Sequence, residues 1–244
     1  EKEAGAMAAN AGMDVSISFN QGYLNEMIEN VKEGKVSVQT IDRSVKRILR
    51  IKYMLGLFEN PFVDPDRAAE LVNNPKHVEL ALQAAREGIV LLKNEKNILP
   101  LKKSLRSIAV IGPNADAPIN QIGDYIPKVV PQDIVTVLEG IRAAVPPSVK
   151  ITHVKGCEII GDKLDEIDEA VRAARKADVA LVVLGEEGYG TNGEGRDVAS
   201  LDLTGMQEEL LRAVHATGTP TVVVLINGRP LSVNYAAENV PAII

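Results

Sequence analysis

The residues DVALVVLG at 178–185 are the clearest indication of the fold class of this chain. After its first residue it is apolar throughout, which is typical of a strand that is buried on both faces, as in a parallel sheet. Similar apolar runs occur at 107–112, 149–156 and 220–228. Helical patterns lie between the runs, at 136–145, 164–177 and 206–217. This alternation predicts a three-layer α/β/α sandwich with a mostly parallel sheet.

The residues before this alternation have a different character. Their patterns predict an Ala-rich helix at 1–11, a short strand at 13–18, a helix at about 20–34 and an amphipathic helix within 37–58. Three prolines in 59–75 indicate a linker with a short helical turn. Further strands are predicted at 88–94 and at the C-terminal run 240–244. We predict a fragment of another domain at 1–60, a linker at 61–75 and the sandwich, without its final strands, at 76–244.

The composition narrows the classes of function. The chain has 244 residues and a net charge of −6, and its basic residues are scattered, so no nucleic-acid partner is predicted. No apolar run reaches the roughly 18 residues that a membrane span needs. The single cysteine, Cys157, excludes an intrachain disulfide, and the spacing of His77, His153 and His215 fits no zinc site. We predict no metal and no cofactor, and a neutral or cationic small molecule as the partner.

The segment GEEGYGTNGEGRD at 185–197, which we call the acid loop, follows the apolar run of 178–185 and contains five glycines and four carboxylates. It contains G-x-G-x-x-G at 188–193, but a dinucleotide site also needs a helix that begins at the third glycine. Here TGMQ at 204–207 predicts the next helix start, as a capping box. Glu194 and Asp197 would also repel a phosphate. A nucleotide site is therefore not predicted, and the residue order of a calcium-binding EF-hand loop is absent.

Two interpretations of the acid loop stay open at this point. Solvated surface turns are commonly rich in Gly, Asn and Asp. Ligands of open α/β sheets, however, bind beyond the carboxyl ends of the strands, which is where this loop begins. Gly193 and Gly195 flank Glu194 and give it little steric cover, so a bulky ligand could approach its carboxyl group. This position favours a functional role for the loop.

Five consecutive segments resemble landmarks of glycoside hydrolase family 3, the β-glucosidase and β-xylosidase type. They occur in the order of the family and cover nearly the whole chain, so the resemblance is specific. The segments are SVKRILRIKYMLGLFENPF (44–62), AAREGIVLLKNEKNILPL (84–101), IAVIGPNAD (108–116), GEEGYGTNGEGRDVASLDLTGMQEELL (185–211) and VVVLINGRPLSV (222–233).

This resemblance implies a (β/α)8-type barrel, of which residues 1–60 are the last piece, followed by the sandwich, with an active site at their interface. It implies retaining hydrolysis by an Asp nucleophile on the barrel and a Glu acid/base on the acid loop. Glu194 fits the family pattern best, and Glu186 and Glu187 are the competing assignments. The expected substrate-binding residues are Arg196 and Asp197, which either contact sugar hydroxyls or pair with each other, and Tyr189, which either flanks the aglycone or packs.

The resemblance also implies what the chain lacks. Asp14 resembles the aspartate of the last barrel strand, whereas the nucleophile is expected on an earlier strand. We therefore expect the chain to need a missing barrel segment and to be inactive alone.

The predicted function is a retaining β-glycoside hydrolase, foremost a β-glucosidase, acting on β-linked oligosaccharides or glucosides. The alternative is a non-catalytic carbohydrate-binding or scaffolding module. A homo-oligomer is compatible with either function, and a secreted or periplasmic location would suit the substrate.

Overall fold

The computed structural model describes residues 1–17, 21–126, 131–164, 166–188 and 190–244. The chain divides into two compact units, Glu1–Leu82 and Gln83–Ile244. The predicted domain limits, with a linker at 61–75, stay a prediction. No helix of the described residues is long and apolar enough to cross a membrane.

The first unit is helical in its described part. Its helices are α1 (Lys2–Ala11), α2 (Asn25–Lys32), α3 (Val38–Met54), α4 (Pro65–Leu71) and the start of α5 (Pro75–Gly88). Ser37 starts α3, because its side chain accepts a hydrogen bond from the Thr40 main-chain nitrogen at 3.1 Å. Ala6, Ala9 and Met27 are buried together beside α3. The predicted amphipathic helix and the short helix within the linker segment are confirmed.

The strand predicted at 13–18 is wrong for residues 13–17, and residue 18 lies outside the described residues. A strand needs a neighbour for its main-chain hydrogen bonds, and the described part of the first unit contains no other strand. Asp14 instead forms an ion pair with Arg47 at 3.2 Å. The Ser44 hydroxyl and the Arg47 guanidinium hold the pKa of Asp14 below its usual range.

The second unit is built on a six-stranded sheet in the order β1-β6-β5-β4-β2-β3. The strands are β1 (Lys93–Asn94), β2 (Ser107–Ile111), β3 (Lys150–Val154), β4 (Val179–Gly185), β5 (Thr221–Ile226) and β6 (Ala242–Ile243). All neighbours are parallel except β1 and β6. The helices are α6 (Val137–Ala144), α7 (Ile167–Arg175), α8 (Gln207–His215) and α9 (Asn234–Asn239).

Strand β4, which the apolar run of 178–185 predicts, is buried at every residue because helices cover both faces of the sheet. On one face Val182 packs with Ala170 of α7 and Leu210 of α8. On the other face Val183 packs with Leu138 of α6. Burying an aliphatic side chain of this size contributes roughly 1.5–3 kcal/mol. The predicted three-layer sandwich with a mostly parallel sheet is confirmed.

The strand predicted at 88–94 is shorter than expected. Only Lys93 and Asn94 form β1, while Leu92 donates one main-chain hydrogen bond to Ile243 at 2.9 Å. Residues 89–92 are exposed. Their apolar run resembles a buried strand, but within the described residues β6 is too short to pair with it. The predicted C-terminal strand is confirmed as β6.

Candidate active site

The acid loop leaves the sheet at Gly185, where only glycine fits. Its φ of 136° lies in the left-handed region, and a Cβ atom there would come within 1.9 Å of the Ile226 carbonyl oxygen. Gly185 donates its main-chain N–H to Oε1 of Gln207 at 2.8 Å and accepts from Nε2 of Gln207 at 2.9 Å. Gln207 is completely buried. The root of the loop is therefore fixed by one side-chain amide.

This contact corrects the predicted capping box. Helix α8 begins at Gln207, so Thr204 is not its N-cap, and the helix has no side-chain cap. The Gln207 amide does donate to the Thr204 carbonyl at 3.1 Å, but it also bonds to Gly185. The hydroxyl of Thr204 donates instead to the Ile159 carbonyl at 2.7 Å. The expectation that Gly193 opens no helix is confirmed, since the next helix starts at Gln207.

Glu186 is a buried member of an ion pair. Only 3% of its surface is exposed, and one carboxylate oxygen contacts Arg229. The other oxygen accepts from the Gly228 main-chain nitrogen at 3.1 Å. Arg229 also donates to the Thr191 carbonyl at 2.7 Å. Glu186 thus joins the acid loop to the segment after β5, and its oxygens are engaged within the protein.

Glu187 faces a cavity of about 250 Å³ at the same edge of the sheet, which is also lined by Asp116, Asn120 and His153. Its main-chain nitrogen donates to the Thr191 hydroxyl at 3.1 Å. Burial lowers the pKa of His153, so its ring is neutral at neutral pH. The ring atom Nε2 is buried and has no partner among the described residues.

Glu194 is exposed at the tip of the acid loop. Gly193 and Gly195, on either side of it, have φ values of 114° and 72°. The Glu194 main-chain nitrogen donates to Oδ2 of Asp124 at 3.0 Å, and the Tyr125 hydroxyl donates to Glu194 Oε2. This contact with Glu194 raises the pKa of Tyr125. An accessible carboxyl group is thus held by the segment that follows β2.

Asp124 and Tyr125 were missed by the sequence interpretation. The sequence alone carries no signal for them, because they follow β2, and only the structure shows that β2 is the parallel neighbour of β4. Loops after neighbouring parallel strands leave the same edge of a sheet, so acidic or aromatic residues in the two loops can meet.

The predicted substrate-binding residues are placed as follows. Arg196 forms an ion pair with Asp124 at 3.1 Å, and it also donates to the Glu194 carbonyl at 3.4 Å. Asp197 is exposed. Tyr189 lies outside the described residues. Among the residues that the structure describes, no group of three or more His, Cys, Asp or Glu side chains could hold a metal ion.

The fold and the site define an α/β domain that presents a carboxyl group beyond the carboxyl ends of parallel strands. Residues 89–244 match the model of the glycosyl hydrolase family 3 C-terminal domain. The chain therefore belongs to glycosyl hydrolase family 3, as the resemblance of its sequence segments predicts.

Curated relatives are similar along the whole chain. A β-xylosidase of Formosa agariphila is 38% identical over 99% of this chain and 35% of its own length. A periplasmic β-glucosidase of Salmonella typhimurium is 35% identical over 100% of this chain and 35% of its own length. The chain thus spans about a third of the length of these relatives.

Solved structures agree with the fold. The β-glucosidase of Listeria innocua in complex with glucose superimposes with a TM-score of 0.88, at 31% identity, over 99% of this chain and 32% of that one. A β-glucosidase of Erythrobacter marinus gives a TM-score of 0.86 at 36% identity, over 99% of this chain and 35% of that one.

Proposed function

We propose that this chain supplies the general acid/base of a retaining β-glycoside hydrolase of the β-glucosidase type, and that Glu194 is that residue. The observation that carries the proposal is the placement of an accessible Glu194 carboxyl group on a glycine-flanked loop beyond the end of β4. In that position a sugar can reach the carboxyl group, and the loop can adjust to it.

The proposed chemistry needs two carboxyl groups. One attacks the anomeric carbon, while the other, about 5 Å away, protonates the leaving oxygen and then acts as base toward water. Glu194 takes the second role. The nucleophile is an aspartate on a barrel segment outside this chain, as the family resemblance implies. Asp14 is not proposed for that role, because it pairs with Arg47.

The surroundings of the three candidate glutamates support Glu194. Both carboxylate oxygens of Glu186 are engaged by Arg229 and Gly228, so this residue is suited to anchoring the loop. Glu187 lines a small cavity beside His153. Glu194 alone of the three is exposed, and its carboxylate contacts the hydroxyl of Tyr125, which a substrate can displace.

The substrate is proposed to be a β-linked glucoside or short oligosaccharide. The names of the relatives support this class, and the Listeria innocua β-glucosidase has been solved with glucose and, as a mutant, with laminaribiose. Arg196, Asp197 and Tyr189 stay proposed contacts for sugar hydroxyls or the aglycone. A relative named as periplasmic supports a periplasmic or secreted location.

The test compares Glu194→Gln with Glu187→Gln in the full-length hydrolase. General acid catalysis contributes about 10²–10⁴-fold, so we expect Glu194→Gln to lose activity of this order on an alkyl glucoside. A nitrophenyl glucoside has a good leaving group and needs little protonation. Its kcat/KM, which reports the glycosylation step, should therefore be largely retained. Glu187→Gln makes the same chemical change in the same loop and should keep the wild-type ratio of the two rates.

Three results would contradict the proposal. If Glu194→Gln lowered kcat/KM equally on both substrates, the residue would not protonate the leaving group. If Glu187→Gln showed the leaving-group dependence instead, the acid would be Glu187. Full activity of Glu194→Gln on both substrates would favour the non-catalytic carbohydrate-binding module.

A further inference from the structure

We infer that Asp124 is a positioning residue that fixes the tip of the acid loop so that the Glu194 carboxyl group is presented in one direction. This inference rests on the proposed function of Glu194. It concerns a residue in a different loop, 70 positions away in sequence.

The two oxygens of Asp124 bind the two sides of the loop tip. Oδ2 accepts the main-chain N–H of Glu194 at 3.0 Å, and Oδ1 accepts from Nη1 of Arg196 at 3.1 Å. The side chains of Asp124 and Arg196 are 20% and 30% exposed, so water screens this pair less than a pair at the open surface. Hydrogen bonds that involve a charged group are also the stronger ones.

Gly193 makes the close approach of Asp124 feasible. A Cβ atom at this position would lie 2.8 Å from Oδ2 of Asp124 and 2.9 Å from Nη1 of Arg196. The φ of 114° is likewise one that other residues rarely adopt. The glycine therefore provides both the backbone conformation and the space that the carboxylate occupies.

The tip needs such a contact because two other side chains that fix the acid loop act nearer its root. Gln207 holds Gly185, and Arg229 holds Glu186 and the carbonyl of Thr191. Beyond Thr191, glycines flank Glu194, and glycine loses more conformational freedom on ordering than any other residue. A tip without Asp124 would sample more conformations, and a displacement of about 1 Å at a reacting group can cost about 10²-fold in rate.

The next residue extends the same contact to the side chain of Glu194. Tyr125 donates its hydroxyl hydrogen to Glu194 Oε2, although the residue is 83% exposed. Asp124 thus holds the main chain of Glu194 while its neighbour contacts the carboxylate. The exposure of the ring leaves it free to withdraw when a sugar enters.

The experiment measures Asp124→Ala, Asp124→Asn and Asp162→Ala in the full-length hydrolase on the alkyl and the nitrophenyl glucoside. Asp124→Ala removes both contacts, so kcat/KM on the alkyl glucoside, which reports the glycosylation step, should fall about 10–100-fold, with a smaller fall of kcat/KM on the nitrophenyl glucoside. Asp124→Asn keeps an oxygen acceptor for the Glu194 N–H and should recover part of the loss. Asp162 is an exposed aspartate outside the acid loop and serves as the control.

The outcomes separate this inference from the proposed function. The positioning role is overturned if Glu194→Gln shows leaving-group dependence in kcat/KM while Asp124→Ala leaves kcat/KM unchanged on both glucosides or lowers it equally on both. If Glu194→Gln itself shows no such dependence, the proposed function fails first. Should Asp124→Ala not fold, Gly193→Ala crowds the same contact from the loop side, and it must reproduce the selective loss on the alkyl glucoside for the inference to stand.

Discussion

The side-chain amide of Gln207 takes up both main-chain hydrogen-bonding groups of Gly185, at 2.8 and 2.9 Å, in the buried interior of the second unit. Gly185 is the last residue of β4 and the first of the acid loop. Gln207 is the first residue of α8. One buried amide therefore joins the strand, the helix and the root of the loop.

We predict that Gln207→Ala destabilises the chain by about 2–4 kcal/mol, because each buried group left without a partner costs roughly 1–3 kcal/mol. Urea unfolding of the variant measures this loss. Gln83→Ala, at an exposed position of α5, is the matched control and should change the midpoint little. An unfolding midpoint for Gln207→Ala equal to that of the control would contradict the prediction.

The ion pair of Glu186 and Arg229 gives a second prediction. Because Glu186 is 3% exposed, Arg229→Met leaves a buried carboxylate without its partner, which typically costs about 3–5 kcal/mol. Glu186→Gln combined with Arg229→Met removes both charges and should be less destabilising than Arg229→Met alone. A double-mutant cycle by urea unfolding measures the coupling. Additive effects of the two substitutions would show that the pair does not interact.

The sequence predicts the sheet well because its strands are buried on both faces. Such strands are apolar throughout, and that pattern is visible locally in β2, β4 and β5. The predictions at 13–17 and 89–92 are wrong because an apolar or alternating segment becomes a strand only beside a partner, and pairing is not a local property. Gln207 was interpreted as part of a capping box for the same reason, since its amide contacts the nearby Thr204 but also bonds to Gly185, which lies 22 residues away.

The candidate site was predictable only in part. The location of the acid loop follows from the end of an apolar strand in an open sheet, and Glu194 could be selected by its flanking glycines and the family resemblance. Asp124 and Tyr125 could not be selected, because their meeting with the loop depends on β2 lying beside β4. Sequence order does not fix the order of strands in a sheet.

A third prediction concerns the ionisation of Tyr125. The contact of its hydroxyl with the Glu194 carboxylate is the main cause that raises the pKa of Tyr125. Replacing that carboxylate in Glu194→Gln removes the negative charge, so Tyr125 should ionise at lower pH than in the wild type. Tyrosinate absorbance during an alkaline titration measures the ionisation of the tyrosines. Subtracting the titration of Tyr125→Phe, made in the wild type and in Glu194→Gln, isolates the ionisation of Tyr125. Superimposable difference curves would show that the two side chains are not in contact.

The last prediction concerns Cys157, which is buried and free. Burial, followed by the nearby charge of Glu158, raises the pKa of the thiol to about 12. Because the thiolate is the reactive form, the folded chain should react with iodoacetamide at neutral pH far more slowly than the chain unfolded in urea.

The same shift has a consequence for stability. A thiol whose pKa is raised on folding stabilises the fold below its unfolded value of about 8.5, and this contribution is lost as the pH rises toward about 12. Unfolding experiments between these pH values should therefore show a steeper loss of stability for the wild type than for Cys157→Ala, which has no group to titrate. Equal slopes, together with rapid alkylation of the folded chain, would place the thiol in contact with water and contradict its burial in the core.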